Sequence, residues 1–264
     1  MEIVVLLKQV PDTETNVQID DDNAGIKTSD VKWVINPYDE LAVEEALRIK
    51  EAQGGDGKVT ILSAGTERVV EAIRTGLAMG ADEGVLIQDP AVESSDGLGV
   101  AKILAAALKD ISYDLIIAGH RAVDDDGYLV PAAVAELVGI PHVSMVVDET
   151  IQDGKLRCER TVDGGTVIME ADLPALFTTQ RGINDPRYAS LPGIMKAKKK
   201  PLQTRSLTDI GVDANQVGAE GAKCSIQRLS FPPERAPGQI ISGETPEEKA
   251  AELVRRLREE AKVI

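Results

Sequence analysis

The sequence predicts an α/β fold in which a mainly parallel, twisted sheet is flanked by helices. Short runs of aliphatic and β-branched residues alternate along the chain with amphipathic stretches long enough to form helices. Of the 264 residues, 43% are hydrophobic but only 3% are aromatic. The core must therefore be built from Val, Ile, Leu and Ala, as is typical of buried parallel sheets. At this length, one domain with appendages is the default expectation.

The first half of the chain supplies the parallel strands. We expect strands at residues 3–7, 59–63, 84–87, 115–118 and 142–147. Helices are expected between them at residues 39–50, 66–79 and 98–108, and in the first of these the apolar residues form one stripe while the acidic and basic residues face water. Strands that alternate with helices of this length imply right-handed crossovers and parallel pairing over residues 1–147.

The second half differs in character. Residues 150–179 contain Gln-Asp-Gly-Lys and Val-Asp-Gly-Gly turns between alternating polar and apolar runs, which predicts an antiparallel ribbon. Residues 181–244 are rich in Pro, Gly and Asn and predict an extended arm that leans on another surface. Thr245 and Pro246 predict the start of a terminal helix with one apolar face. The expected divisions are a domain at 1–180, a loop at 181–202, and an arm with a terminal helix at 203–264.

Charge and composition restrict the classes of function. Lys and Arg number 29 against 44 for Asp and Glu, a formal net charge of −15, which argues against nucleic-acid binding and against anionic membranes. Cys158 and Cys224 are too few for a disulfide framework and have no metal-ligand spacing. The first apolar run is too short for a signal peptide or a membrane span, so a cytoplasmic protein that is not inserted in a membrane is expected.

Side-chain catalysis is not predicted. The chain has two histidines, no Gly-x-Ser-x-Gly elbow and no sequence pattern that predicts a Cys–His pair or a metal site. His142 follows Ile140 and Pro141 at the start of a strand, which favours a structural role. The triplet 124–126 is acidic, but adjacent side chains point in different directions, so it is not expected to hold a metal.

Three strand ends predict a ligand crevice. The segments 6–12, 63–66 and 119–127 each follow a predicted parallel strand, and ligands bind beyond the carboxyl ends of such strands. None of them is a G-x-G-x-x-G or Walker A loop, so neither a standard dinucleotide grip nor nucleotide hydrolysis is indicated. Residues 36–39 precede a helix and either cap it or face the same crevice. Three of these features also have a purely structural interpretation: 63–66 as a tight turn, the triplet 124–126 as a solvated loop with a helix cap, and 36–39 as a cap.

A basic and apolar segment predicts a docking site. In an acidic chain, apolar side chains beside a lysine cluster resemble an apolar anchor with a charged rim, although they could simply pack on the domain. The residues concerned are Tyr188, Leu191, Pro192, Ile194, Met195, Lys196, Lys198, Lys199 and Lys200.

Several of these segments resemble the beta subunits of electron transfer flavoproteins. They are VKWVINPYDELAVEEALRIKE (31–51), AIRTGLAMGAD (72–82), AGHRAVDDD (118–126), CERTVDGG (158–165) and above all LPALFTTQRGINDPRYASLPGIMKAKKKPL (173–202). The resemblance implies a Rossmann-like, adenine-nucleotide-binding domain whose terminal arm docks on an alpha subunit. It also implies a carrier that takes electrons from flavoprotein dehydrogenases of the acyl-CoA type to a membrane quinone oxidoreductase, and that is not itself an enzyme.

The same resemblance implies cofactors and site residues. FAD would be held mainly by the alpha subunit, and the beta subunit would bind a structural AMP. Leu191 would be the anchor that enters a pocket on the dehydrogenase. The cofactor-binding positions carried over are Leu6, Asn36, Pro37, Tyr38, Asp39, Ala64, Gly119, His120, Arg121, Ala122, Val123, Asp124, Asp125, Asp126, Gly127, Tyr128, Leu129 and Val130.

One departure from the family pattern keeps alternatives open. Relatives have Asn-Gln-Thr-Gly after the acidic triplet, whereas this chain has Gly127, Tyr128, Leu129 and Val130, so backbone amides or Arg121 and His120 would have to meet the phosphate. Val130 fits the electron-bifurcating relatives, which use NADH and hold a second FAD in place of AMP. Asp125 and the segment 94–101 do not fit them, so AMP is favoured. A non-redox adenine-nucleotide-binding module is the third hypothesis.

Overall fold

The computed structural model describes residues 1–22, 24–235 and 237–264. Contacts along the chain divide it into two units, Met1–Gln227 and Arg228–Ile264. The strands are β1 (Glu2–Leu6), β2 (Gln9–Pro11), β3 (Trp33–Ile35), β4 (Lys58–Ala64), β5 (Glu83–Ile87), β6 (Leu115–Gly119), β7 (His142–Gln152), β8 (Lys155–Val162), β9 (Gly165–Asp172), β10 (Ala175–Thr179) and β11 (Leu202–Arg205). The helices are α1 (Pro37–Ala52), α2 (Val69–Met79), α3 (Pro90–Glu93), α4 (Gly97–Leu108), α5 (Leu129–Val138), α6 (Leu191–Ala197), α7 (Gly218–Gly221) and α8 (Pro246–Glu259).

A nine-stranded sheet forms the centre of the first unit. Its order is β11-β5-β4-β1-β6-β10-β7-β8-β9. All pairs from β11 to β7 are parallel, and β8 and β9 extend the sheet as an antiparallel ribbon. Strands β2 and β3 form a separate antiparallel pair. The predicted mainly parallel α/β sheet with an added antiparallel ribbon is therefore confirmed.

Alternation along the strands produces a core on each face of the sheet. In β1, Ile3 and Val5 join the cluster packed by α1 and α2, while Val4 and Leu6 join the cluster packed by α4 and α5. Successive strand residues point to opposite faces, so a strand buried on both sides needs aliphatic residues at every position. This explains why the strands of this chain read as continuous apolar runs.

Two strands lie where the sequence predicted something else. The antiparallel pairing predicted for residues 150–179 is wrong for β10, which pairs in parallel with both β6 and β7 and is buried throughout. Strand β11 falls beyond the predicted domain limit at residue 180 and pairs in parallel with β5, with Leu202 opposite Gly84. Both pairings join segments far apart in sequence, and local residue patterns carry no information about such partners.

The second unit contains the terminal helix. Thr245 caps α8 by accepting a hydrogen bond from the backbone N–H of Glu248, as the sequence predicted. Leu253 and Val254 on this helix are 45% and 44% exposed. Among the residues that the structure describes, no helix is both long and apolar enough to cross a membrane.

Candidate functional site

The carboxyl ends of three neighbouring strands surround a cavity. Strands β4, β1 and β6 are adjacent and parallel, so Ala64, Leu6 and Gly119 end at the same edge of the sheet. The cavity there has a volume of about 440 Å³. Small-molecule sites in proteins commonly occupy about 300–1,000 Å³. The crevice predicted from the three strand ends is thus present as a cavity of suitable size.

The lining has an apolar wall and a charged part. Many of the apolar side chains come from β1, β6, α3, α4 and α5, whereas most of the charged ones come from the loops that follow β1, β4 and β6, with Asp39 in α1 and Glu93 in α3. The apolar wall includes Leu6, Val92, Val100, Leu104, Ala118, Leu129 and Val130. The cations are Lys8, Arg68 and Arg121, and the acidic side chains are Asp39, Glu93, Asp124 and Asp125. Such a lining offers a ligand both apolar contact and a few polar groups that can orient it, as is typical of small-molecule sites.

Asp39 connects two of the strand ends. Its Oδ2 accepts a hydrogen bond of 2.7 Å from the backbone N–H of Lys8, and its Oδ1 accepts one of 2.9 Å from Gly119. Asp39 therefore does not cap α1, which was one of the expectations. Burial raises the pKa of Asp39 to about 7, although the hydrogen bond from Lys8 opposes that shift. A Cβ at Gly119 would lie 2.6 Å from Cβ of Tyr38, so this close approach requires glycine.

Asn36 fixes the loop that follows β6. Its Nδ2 donates a hydrogen bond of 2.8 Å to the carbonyl of Arg121, and its Oδ1 accepts one of 3.2 Å from the N–H of Val123. The segment 36–39 thus shapes the cavity by holding the loops that line it. Asn36 therefore positions the loop after β6, a role that the sequence alone did not indicate.

Two of the three cations are paired with the acidic triplet. Lys8 Nζ lies 2.8 Å from Asp124 and 3.3 Å from Asp125, and Arg121 lies 2.7 Å from Asp126. The third cation, Arg68, stacks on Trp33 with Cζ 3.5 Å from the ring centroid. The triplet therefore neutralises two of the cations that line the cavity, Lys8 from the segment after β1 and Arg121 from the loop after β6.

Comparisons with known proteins all identify the same family. The family model of the electron transfer flavoprotein domain matches residues 24–210. The chain is 40% identical over 265 aligned positions, covering both chains in full, to electron transfer flavoprotein subunit beta of Bacillus subtilis (strain 168). It is 39% identical to the subunit of that name from Syntrophomonas wolfei, covering 100% of this chain and 98% of the relative. The chain belongs to the electron transfer flavoprotein beta-subunit family. The resemblance noted in the sequence is confirmed.

The structure brings most of the residues carried over from the electron transfer flavoprotein pattern to the cavity. Those that line it are Leu6, Asn36, Asp39, Ala64, Gly119, Arg121, Ala122, Asp124, Asp125, Gly127, Leu129 and Val130. Six others do not line it, namely Pro37, Tyr38, His120, Val123, Asp126 and Tyr128. The rings of Tyr38 and His120 pack edge to face at 4.2 Å, and the carbonyl of Thr179 lies 3.0 Å from His120 Nδ1. Burial lowers the pKa of His120.

Sequence reasoning missed part of the lining. Trp33 and Arg68 lie outside every segment singled out as a strand end, and the residues of α3 and α4 carry no motif. The one available signal was composition: Trp33 is the only tryptophan of the chain. His142, predicted to be structural, has a buried Nε2 with no hydrogen-bond partner among the described residues, and burial lowers its pKa.

The docking segment, residues 181–202, combines an exposed surface with firm attachment. Tyr188, Leu191 and Met195 are 98%, 75% and 67% exposed. Arg187 lies 2.7 Å from both Glu44 and Glu51 of α1. Lys200 differs from the other lysines of the cluster, because its Nζ donates to the carbonyls of Leu77, Gly80 and Ala81 at the end of α2. Lys200 is therefore part of the attachment, whereas Lys196, Lys198 and Lys199 are exposed.

Proposed function

We propose that this electron transfer flavoprotein chain pairs with an alpha subunit and serves as an electron carrier. It would accept electrons from flavoprotein dehydrogenases of the acyl-CoA type and deliver them to a membrane quinone oxidoreductase. A cytoplasmic location stays a prediction. Family membership supports the carrier role, and the single observation that carries the partner assignment is the exposed apolar surface of the docking segment.

The docking segment has the chemistry of a protein-binding surface. Three large apolar side chains, Tyr188, Leu191 and Met195, project into solvent, where each costs free energy unless it is covered. The exposed lysines beside them concentrate positive charge on a chain whose net charge is −15. Such an arrangement favours an acidic rim around an apolar pocket on the partner.

Replacing Leu191 by Ala tests the docking role. Leu191 is 75% exposed in the free chain, so its truncation removes little internal packing. If the side chain is buried on docking, its loss costs about 2 kcal/mol, or roughly a 30-fold rise in KM for the dehydrogenase. Flavin content and the association of the two subunits should stay unchanged. Leu137→Ala, at a leucine of α5 that is 48% exposed, is the matched control and should leave KM unchanged. An unaltered KM in Leu191→Ala contradicts the docking role.

The cavity is proposed to hold AMP. Leu104, Leu129 and Val130 offer an apolar wall for an adenine ring, and the lining cations suit a phosphate. Asp39 and Asn36 would keep the surrounding loops in place through their hydrogen bonds to backbone groups. AMP has no redox chemistry of its own, and the electron-carrying flavin is FAD, proposed to be held by the alpha subunit.

One observation favours a second candidate. Leu129 and Val130 present apolar side chains to the cavity, and Val130 matches the bifurcating relatives that hold a second FAD and use NADH. Denaturing the purified heterodimer and counting released nucleotides separates the hypotheses. One FAD with one AMP supports the carrier, two FAD support a bifurcating subunit, and the absence of flavin supports a non-redox nucleotide-binding module.

A further inference from the structure

Arg68 differs from the other cations of the cavity. Lys8 and Arg121 are neutralised by the acidic triplet, at 2.8 Å from Asp124 and 2.7 Å from Asp126 respectively. Arg68 lies in the cavity lining, and among the residues that the structure describes no carboxylate comes within 4.0 Å of it. Its positive charge is therefore available to an anionic group in the cavity.

The guanidinium of Arg68 is held in place by uncharged partners. Its Cζ lies 3.5 Å from the centroid of the Trp33 ring. Its Nε donates a hydrogen bond of 3.1 Å to Gln9 Oε1, and Gln9 Nε2 donates one of 3.2 Å back to the carbonyl of Arg68. Gln9 is itself buried. Because stacking and this reciprocal pair already restrict the side chain, little further entropy is lost when a ligand binds.

The remaining donors of Arg68 form a free fork. In the described part of the chain, neither Nη1 nor Nη2 donates to a protein acceptor, since Nε makes the one side-chain hydrogen bond of this residue. A fixed guanidinium with two parallel donors matches the oxygen spacing of a phosphate, with which it forms paired, charge-assisted hydrogen bonds.

The loop after β6 does not supply the unoccupied side-chain donors that a phosphate in the cavity would need. Among its residues that line the cavity, Arg121 has side-chain donors, but its Nη1 and Nη2 already donate to Asp126 and Tyr38. Asp124 and Asp125 offer only acceptors, and Gly127, with Leu129 and Val130 at the start of α5, has no polar side-chain atom. The hydroxyl of Tyr128 lies 3.4 Å from Arg121, and Tyr128 does not line the cavity. A phosphate bound in the cavity must therefore find unoccupied side-chain donors elsewhere in the lining.

We infer that Arg68 binds the phosphate of the nucleotide through Nη1 and Nη2, with Trp33 and Gln9 as the residues that position it. This inference rests on the proposed function, in which the cavity holds an adenine nucleotide. It adds that the phosphate lies on the side of β2, β3 and the turn before α2, and that the ligand class is a nucleoside phosphate in preference to a free nucleoside.

Comparing AMP with adenosine isolates the phosphate contribution. Both are titrated calorimetrically into the heterodimer after exhaustive dialysis. In the wild type we expect AMP to bind at least about tenfold more tightly than adenosine, as charge-assisted hydrogen bonds imply. Arg68→Gln should lower this ratio about tenfold and leave the affinity for adenosine unchanged. Lys109→Gln, which removes an equal charge at the exposed end of α4, should leave the ratio unchanged.

The possible outcomes distinguish a failure of the phosphate role of Arg68 from a failure of the proposed AMP site. An Arg68→Gln complex with the wild-type ratio overturns the phosphate role while the AMP site stands. Equal losses for AMP and adenosine also overturn it, because they indicate a structural role. A wild-type complex that binds neither compound overturns both the inference and the AMP assignment. If Arg68→Gln does not assemble, Arg68→Lys decides: loss of the fork should reduce the ratio, and a wild-type ratio refutes the inference.

Discussion

Replacing Arg187 by Met should release the docking segment from α1. Nε and Nη2 of Arg187 donate to Glu44 at 2.7 and 3.1 Å, and Nη1 and Nη2 donate to Glu51 at 2.7 and 3.2 Å. The side chain of Glu44 is only 7% exposed, whereas that of Glu51 is 61% exposed. These hydrogen bonds raise the pKa of Arg187 and lower that of Glu51. Methionine keeps the length of the stem but leaves the buried carboxylate of Glu44 without its cation, with only the backbone N–H of residue 187 still donating to it.

The free-energy cost of this substitution follows from the burial of Glu44. Breaking a fully buried ion pair costs about 3–5 kcal/mol, and the 35% exposure of Arg187 reduces this to about 2–3 kcal/mol. Glu51→Gln removes the exposed half of the same interaction and should cost at most about 1 kcal/mol. The docking segment is attached to the domain chiefly by side-chain contacts. The loss of free energy should therefore appear as local opening of this segment.

Hydrogen exchange of the heterodimer, followed by mass spectrometry, measures this opening. The reporter is the amide of Ile194, which donates to the carbonyl of Ser190 at 2.9 Å. In Arg187→Met, peptides covering residues 184–197 should exchange about 30- to 150-fold faster, corresponding to about 2–3 kcal/mol. Peptides from β4 should be unchanged. Equal acceleration in Arg187→Met and Glu51→Gln would refute the reasoning, since the buried carboxylate would then contribute no more than the exposed one.

Three further predictions concern single positions. Gly119→Ala would place a methyl group against Tyr38 and Asp39, so we expect a loss of about 1–3 kcal/mol in the free energy of unfolding and loss of nucleotide, measured by urea titration and nucleotide release. Burial and the neighbouring Glu45 raise the pKa of Glu149 from 4.5 to about 7. Between these pH values the folded chain keeps a proton that the unfolded chain loses, so stability should fall as pH rises through this window. Glu149→Gln should make this fall shallower in thermal melts, and Asp39, whose pKa burial also raises to about 7, should account for a remaining fall. Lys200→Met should lower the melting temperature, because three carbonyls at the end of α2 lose their donor, whereas Lys199→Met should leave it unchanged.

The contrast between Lys199 and Lys200 shows a limit of sequence reasoning. Both belong to one run of lysines, and the sequence offers no means of distinguishing them. Only the position of the end of α2 gives Lys200 three acceptors, while Lys199 stays exposed. The same holds for Asp39, whose place before a helix suggested capping, and whose actual partners, Lys8 and Gly119, come from two separate strand ends.

By itself the sequence determined the α/β class, most of the parallel strands, the antiparallel ribbon and the meeting of three strand ends at one edge. These features follow from local periodicity and from the rule that the carboxyl ends of parallel strands share an edge. The tertiary structure alone decided the places of β10 and β11 in the sheet, the pairing of two cavity cations with the acidic triplet, and the stacking of Arg68 on Trp33. Each of these is a contact between segments far apart in sequence, and its existence depends on how the whole sheet and its loops are assembled.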